Sequence, residues 1–342
     1  MTAIPTNRPD FPDHRDFPLY LAPMAGVTDT LFRQFCKQQG ADVMVTEFVS
    51  AEGIFHRNRR TSEFLEFSES ERPLGVQLFG ADAGNMGDAA QQVIDWVRPD
   101  FIDINFGCPV NKVVSKNGGS ALLKDCPLLA KVASTVAKAV APFPVTAKIR
   151  IGWNASMVNA VEVARILEDC GMQRIAVHGR TKDQGYSGEA DWEVIDQVAR
   201  AVSVPVIGNG DIQGAADVEK RRRETAVSGV MIGRAAMSSP WIFHEIRTYL
   251  ETGEVPEPPR LEERWTWIRR HCELAVERRG SETAAMHSMR SRLMAYTRGL
   301  PGSRQLRLAF SKVETLEGLD AIADAHLDEN PEHRVPSAEL SV

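Results

Sequence analysis

Nowhere in the 342 residues do about 18 apolar residues run together, so the sequence holds no membrane-spanning helix. Cysteine is sparse. Cys36, Cys108, Cys126, Cys170 and Cys272 stand without paired or metal-like spacing, which argues against a disulfide framework and a metal site and points to a reducing cytoplasm. Positive charge is in short supply as well: Lys and Arg number 40 against 46 Asp and Glu, and the net charge of −6 argues against non-specific binding to nucleic acid. The segment Met1–Asp16 is rich in Pro and Asp and has no apolar h-region, so it reads as an N-terminal extension rather than a signal peptide. What remains, 43% apolar and 25% charged residues, is an ordinary globular composition with enough chain to bury a sizeable core.

Eight short apolar runs recur through the first 235 residues, at 19–26, 42–49, 74–80, 101–107, 144–152, 174–180, 205–211 and 229–235. Helix-length stretches such as 31–39, 83–97, 127–140, 156–170 and 192–201, with apolar positions at i, i+3 and i+4, separate them. Alternating strand and helix implies a parallel sheet, and eight units imply an α/β fold closed as a (β/α)8 TIM barrel. A doubly wound open sheet is the alternative. Eight near-equal repeats fit closure better than an edge. The barrel is expected over residues 17–243, a small C-terminal helical bundle over 244–316, and a disordered tail rich in Asp, Glu and Pro over 317–342.

A barrel of this kind carries its chemistry at the C-terminal ends of its strands. Those ends hold Pro23, Met24 and Ala25; Glu47; Gln77; Asn105 and Cys108; Lys148 and Arg150; His178 and Arg180; Asn209, Gly210 and Asp211; and Gly233 and Arg234. Singly each has a bland explanation, such as a solvated strand end or a satisfied core histidine. Together they form a polar ring that a structural barrel mouth does not require. Gly208-Asn209-Gly210-Asp211 and Gly233-Arg234 fall after the last two strands, the usual phosphate cradle of the architecture. Gln77, Asn105 and Lys148 suit the edge of a planar heterocycle that develops negative charge. Flavin mononucleotide (FMN) has that shape, whereas the pyridine ring of pyridoxal phosphate leaves too many amides without partners. Cys108 stands where Pro109 ends a strand. Most free cysteines are small buried hydrophobes, but this position in a barrel enzyme favours chemistry.

Five stretches carry a family resemblance: Pro23-Met24-Ala25-Gly26-Val27-Thr28, Asn105-Phe106-Gly107-Cys108-Pro109, Gly118-Gly119-Ser120-Ala121-Leu122-Leu123, His178-Gly179-Arg180-Thr181 and Gly208-Asn209-Gly210-Asp211. With 184–188, 229–234 and 240–243, they resemble the tRNA-dihydrouridine synthases, nearest the bacterial B-type branch, over about residues 19–312. The resemblance implies FMN as cofactor, held by Pro23, Met24, Ala25, Gln77, Asn105, Lys148, His178, Asn209, Gly210, Asp211, Gly233 and Arg234. It implies NADPH as reductant, a uracil of tRNA as substrate, and Cys108 as the acid that protonates C5. A thiol of pKa near 8.5 is protonated at neutral pH and suits that role. The expected partners are tRNA alone, with no metal and no membrane, and a monomeric enzyme in the cytoplasm.

The charge distribution is a separate indication of a polyanionic partner. Residues 264–312 contain 11 Arg or Lys against 3 Glu, a local excess of +8 that leaves −14 for the rest. Arg290, Arg298 and Arg304 there, with Lys112 and Arg180 at the barrel mouth, are the expected RNA contacts. An exposed basic face on a helical bundle is often mere solvation. A uracil inside a folded loop must be splayed out to reach a flavin, which suits structured RNA. The sequence departs from the family where Asn111 and Ser115 replace common lysines, and again at 290–296. Two rival readings are a flavin reductase of a free pyrimidine or small enone, which would not need the basic segment, and a non-catalytic RNA-binding protein, against which Cys108 and Lys148 argue.

Overall fold

The computed structural model describes residues 15–56 and 59–331. Its barrel strands are β1 (Leu19–Leu21), β2 (Met44–Val45), β3 (Leu74–Phe79), β4 (Phe101–Phe106), β5 (Val145–Arg150), β6 (Arg174–His178), β7 (Val206–Asn209) and β8 (Gly229–Ile232). All eight are parallel and follow one another in order around the sheet. β1 pairs with β8, and a bridge from Tyr20 to Val43 joins it to the residues leading into β2, which closes the ring. The eight apolar runs of the sequence are therefore the eight barrel strands. β1 is much shorter than its run, because Pro23 to Gly26 turn away as loop.

Period-2 alternation decides what each strand puts inside. Tyr20, Val43, Val45, Phe101, Ala176, Ile207 and Met231 form one apolar cluster in the barrel. Gly75 is required there: a Cβ on it would lie 2.1 Å from the Phe101 ring. Two and four residues beyond Phe101 on the same face come Asp103 and Asn105, so the interior changes from apolar to polar toward the strand C-termini. The outer face of β4, with Ile102, Ile104 and Phe106, is fully buried, as expected of a strand covered by helices. Helices α1 (Thr30–Gln38), α2 (Ala83–Val97), α3 (Cys126–Val140), α4 (Ala160–Asp169), α5 (Trp192–Ala201) and α6 (Ala215–Glu224) alternate with the strands. Asp29, Asp82, Asp125 and Asp191 cap four of them by accepting from backbone N–H groups.

Three expectations about organisation are corrected. The compact units divide after Gly233, ten residues before the expected boundary at 243. The stretch 156–170 does not begin as helix: Gly152–Asn154 and Met157–Val158 form an antiparallel hairpin ahead of α4, and at Gly152 a Cβ would lie 2.0 Å from Met157 O. The tail is ordered where it is described. The second unit holds the short helix Arg234–Ser238, then α7 (Ile242–Thr252), α8 (Leu261–Arg279), α9 (Glu282–Tyr296), α10 (Ser303–Phe310) and α11 (Leu316–Asp328). α11 starts on a Thr315 cap, buries Leu319 and His326, and receives the Trp265 indole N–H on His326 Nδ1 at 3.1 Å. Its acidic residues misled the compositional reading, because they occupy the solvent side of an amphipathic helix. The expected extension at 1–14 and the last 11 residues of the expected tail lie outside the described residues.

Candidate functional site

The strand C-termini carry a polar seam. At its base Asp103, fully buried on β4, accepts from Thr146 Oγ1 at 2.5 Å and from Gln77 Nε2 at 2.6 Å. Gln77 Oε1 accepts from Asn105 Nδ2 at 2.8 Å. Asn105 Oδ1 in turn accepts from the backbone N–H groups of Gly107 at 3.0 Å and Cys108 at 2.8 Å. On the next strands Lys148 Nζ donates to Asn209 Oδ1 at 3.1 Å, and Asn209 Nδ2 donates to Met231 O at 2.7 Å. Register makes these side chains neighbours: Asn105 lies opposite Lys148, and Asn209 opposite His178.

Cys108 sits on the loop that β4 opens into, 6% exposed. Its carbonyl accepts from Ser120 N at 3.1 Å and Ser120 Oγ at 2.9 Å. Gly119 permits this approach, since its φ is +57° and a Cβ there would lie 2.9 Å from Cys108 O. Arg150 ties the same loop to another: its Nε donates to Gly107 O at 3.0 Å, and Nη1 donates to Thr181 O at 2.8 Å and Gly185 O at 2.9 Å. Tyr186, 60% exposed, lies with its ring centroid 5.8 Å from the Arg150 guanidinium carbon.

Electrostatics separate the two reactive side chains. Burial pushes the Cys108 thiol up, against a Val110 backbone hydrogen bond and the charges of Arg150 and Lys148. The thiol therefore keeps its proton at neutral pH. Burial, with Arg150 second, pulls Lys148 down to about 8, while Asp103 and Cys108 oppose the fall. Burial also raises Asp103, opposed by its hydrogen bonds from Gln77 and Thr146 and by the charge of Lys148.

The loop ends bring the other expected residues to the same mouth. Pro23 and Met24 are partly exposed and Ala25 is exposed on the loop after β1, which Thr28 closes by donating from Oγ1 to Met24 O. Glu47 Oε2 accepts from Gly26 N at 2.6 Å. Gly233 faces this loop, because a Cβ on it would meet Met24 Sδ at 3.6 Å. Gly210, at φ +137°, leaves 2.5 Å between such a Cβ and Ala190. His178 is buried at the end of β6, 6.4 Å from Tyr186 between ring centroids. Arg234 is exposed and opens the second unit.

Two expected RNA contacts are engaged within the protein. Arg180 is 2% exposed, donates from Nη2 to Asp211 Oδ2 at 2.7 Å and to Gly188 O at 2.6 Å, and cannot reach a partner outside the barrel. Its proximity to a strand end suggested exposure; a carboxylate from the end of the next strand claims it instead. Asp211 also accepts from Ala190 N at 2.7 Å, so this pair closes the 180–190 loop onto β7. Replacing Arg180 by Met should cost about 2 kcal/mol in a urea titration, since Asp211 is partly solvated, and leave the salt dependence of RNA binding unchanged. Equal stability with a shallower salt slope would return Arg180 to the RNA face. Arg290 is likewise engaged, through Val313 O at 3.2 Å and Glu314 at 3.6 Å. Arg298, Arg304 and Lys112 are exposed, and among the described residues none of the three is in an ion pair. Asp103 and Thr146 are further members of the site, marked in the sequence only as polar residues at alternate positions of otherwise apolar strands.

Among the described residues no group of three or more His, Cys, Asp or Glu is placed to hold a metal, and no helix is long and apolar enough to cross a membrane. A solved structure, described as a variant of NCR from Zymomonas mobilis, matches 70% of this chain and 88% of its own with a TM-score of 0.51 at 12% identity, a likeness of fold. Among curated proteins, tRNA-dihydrouridine synthase B of Pseudomonas aeruginosa is 40% identical over 300 residues, 86% of this chain and 88% of its own. A probable tRNA-dihydrouridine synthase of Aquifex aeolicus is 37% identical over 306 residues, 87% of this chain and 92% of its own. The family model described as dihydrouridine synthase matches residues 20–330, so the chain whose barrel carries Asn105, Cys108 and Lys148 at its mouth belongs to the dihydrouridine synthase family.

Proposed function

We propose that this enzyme reduces the C5=C6 bond of uridines in tRNA to 5,6-dihydrouridine, with FMN as the bound cofactor, NADPH as its reductant, and Cys108 as the acid. The observation that carries the reading is Cys108 itself: a residue whose backbone N–H and C=O are held by three hydrogen bonds and whose thiol is kept protonated by burial against the charges of Arg150 and Lys148. A thiolate nucleophile would need the opposite shift. The test is a position-resolved map of dihydrouridine in tRNA incubated with the enzyme and NADPH. Unmodified tRNA beside rapid reduction of a free pyrimidine would sink the proposal.

The residues present fit the cofactor. Lys148 carries three donors and, among the described residues, has one acceptor, Asn209 Oδ1. Arg180 Nη1 is buried without a hydrogen-bond partner, at the loop that Gly210 lets approach. Pro23, Met24 and Ala25 would line the ring, while Gln77, Asn105, Lys148 and His178 would contact its polar edge or phosphate. Asn209, Gly210, Asp211, Gly233 and Arg234 would hold the phosphate end. When bound, FMN supplies a hydride, taken from NADPH, to C6 of the uracil. Cys108 gives its Sγ proton to C5, and the Lys148 ammonium stabilises the negative charge that builds before that proton arrives. Arg150, through Gly107 O, keeps the Cys108 loop in place, and the near-complete burial of Cys108 excludes water from the proton. The reading goes with the cytoplasm expected from the sequence.

The lysine also sets a pH dependence for cofactor binding. An acceptor beside Lys148 raises its pKa above the value of about 8 that it has alone, so binding takes up a proton above that pH. The FMN dissociation constant of the apoprotein, read by quenching of flavin fluorescence, should stay level up to pH 8 and then rise by up to about tenfold per pH unit. Lys148→Met should bind more weakly with a flat profile. A parental profile that is level to pH 9.5 would show that Lys148 does not meet the cofactor.

A further inference from the structure

Asp103 reaches neither the solvent nor Cys108, and nothing in the chemistry above uses it. It nevertheless stands at one end of an unbroken chain of side chains whose other end is the backbone of Cys108. The direction of that chain follows from chemistry at both ends. Backbone N–H groups only donate, so Asn105 must turn its oxygen toward Gly107 and Cys108. Its amide nitrogen then faces Gln77, which must present its own oxygen, and the Gln77 amide nitrogen is left facing Asp103. Only an acceptor satisfies it there. A carboxylate offers an acceptor in either orientation and no donor.

We propose that Asp103 is a positioning residue for the proton transfer: its carboxylate fixes the orientation of Gln77, hence of Asn105, and so holds the Cys108 backbone where the thiol can reach the substrate carbon. Each carboxamide in the chain can flip by half a turn at little cost in shape, exchanging donor and acceptor. In water both orientations would be satisfied. In this buried place the wrong one sets N–H against N–H twice, and the loop carrying the acid loses the acceptor it hangs from. Thr146 holds the second carboxylate oxygen through its hydroxyl and stops Asp103 from rotating. The inference rests on the assignment of Cys108 as the acid, but it has a readout that does not.

That readout is alkylation of Cys108 by iodoacetamide, followed peptide by peptide in the purified holoenzyme and normalised to bound flavin. Asp103→Asn offers an N–H as readily as an oxygen, so Gln77 loses its fixed anchor at that end and is directed from the Asn105 end alone. Alkylation of Cys108 should quicken about five- to tenfold, the bias that one buried hydrogen bond exerts, and tRNA reduction should slow by a similar factor. Adding Gln77→Glu to that variant restores direction, because the carboxylate then at position 77 accepts both from the new carboxamide at position 103 and from Asn105. The double variant should return alkylation of Cys108 to within about twofold of the parent, a recovery that repair of a folding defect by a second buried substitution would not produce. Alkylation at the parental rate in Asp103→Asn, or equally fast alkylation in the single and double variants, would overturn the proposal. Failure of the acid assignment looks different: Cys108→Ala would then reduce tRNA normally while the alkylation pattern of the Asp103 variants still held.

Discussion

Cys108→Ala is expected to slow reduction of tRNA by about 10²-fold or more, the usual scale for losing a positioned general acid, while NADPH still reduces the bound flavin at close to the parental rate. The two half-reactions separate because the thiol meets only the uracil. Removing it leaves hydride delivery without a proton for C5, and the negative charge must wait for water that the closed loop excludes. Loss of the side chain should not loosen the loop, since its restraints are on the backbone: Asn105 Oδ1 on the Cys108 N–H, and Ser120 on the carbonyl. Stopped-flow bleaching of the flavin measures the first half-reaction. Reoxidation by tRNA measures the second. Cys108→Ser keeps the geometry but raises the proton's pKa by several units, so it should recover little of the lost rate. Equal turnover of tRNA by Cys108→Ala and the parent would remove the acid from this residue.

How much of this could be read in the sequence depends on the range of the interaction concerned. The eight strands were legible because burial on both faces leaves an apolar run that any reader of periodicity can find, and the barrel follows from their number. The mouth residues were legible for the same reason: once strand ends are located, Gln77, Asn105, Lys148 and Asn209 are simply the polar residues that stand there. Pairing was not legible. Arg180 looks exposed in sequence and is buried because Asp211, 31 residues on, closes a loop over it. Arg290 looks like part of a basic face and is held by the Val313 carbonyl and Glu314. α11 was hidden by composition, since the acidic residues that suggested disorder share a helix with Leu319 and His326. Asp103 is the clearest case. A lone acidic residue inside an apolar run signals an obligatory partner, but the identity of that partner, Gln77 on one side and Thr146 on the other, is set by strand register alone.

Arg298→Glu with Arg304→Glu should weaken tRNA binding by about tenfold or more at moderate salt and flatten the plot of log affinity against log salt by about 1.5 units, since each phosphate contact contributes up to about 0.9. These two arginines are exposed and, among the described residues, outside any ion pair, so reversing them removes cations that meet only solvent in the free protein. Arg290→Glu is the internal control. Its guanidinium is held by Val313 O and lies beside Glu314, so reversal there should lower the melting temperature of the second unit more than it changes the salt slope. Flavin content should be the same in all three proteins, because the residues proposed to hold the cofactor are others. The comparison separates a docking face from a merely solvated one: solvation predicts no change in slope, and electrostatic steering without contact predicts a slower on-rate with the slope retained. An unchanged slope in the double variant would move recognition to the exposed Lys112, four residues after Cys108, which carries no ion pair among the described residues.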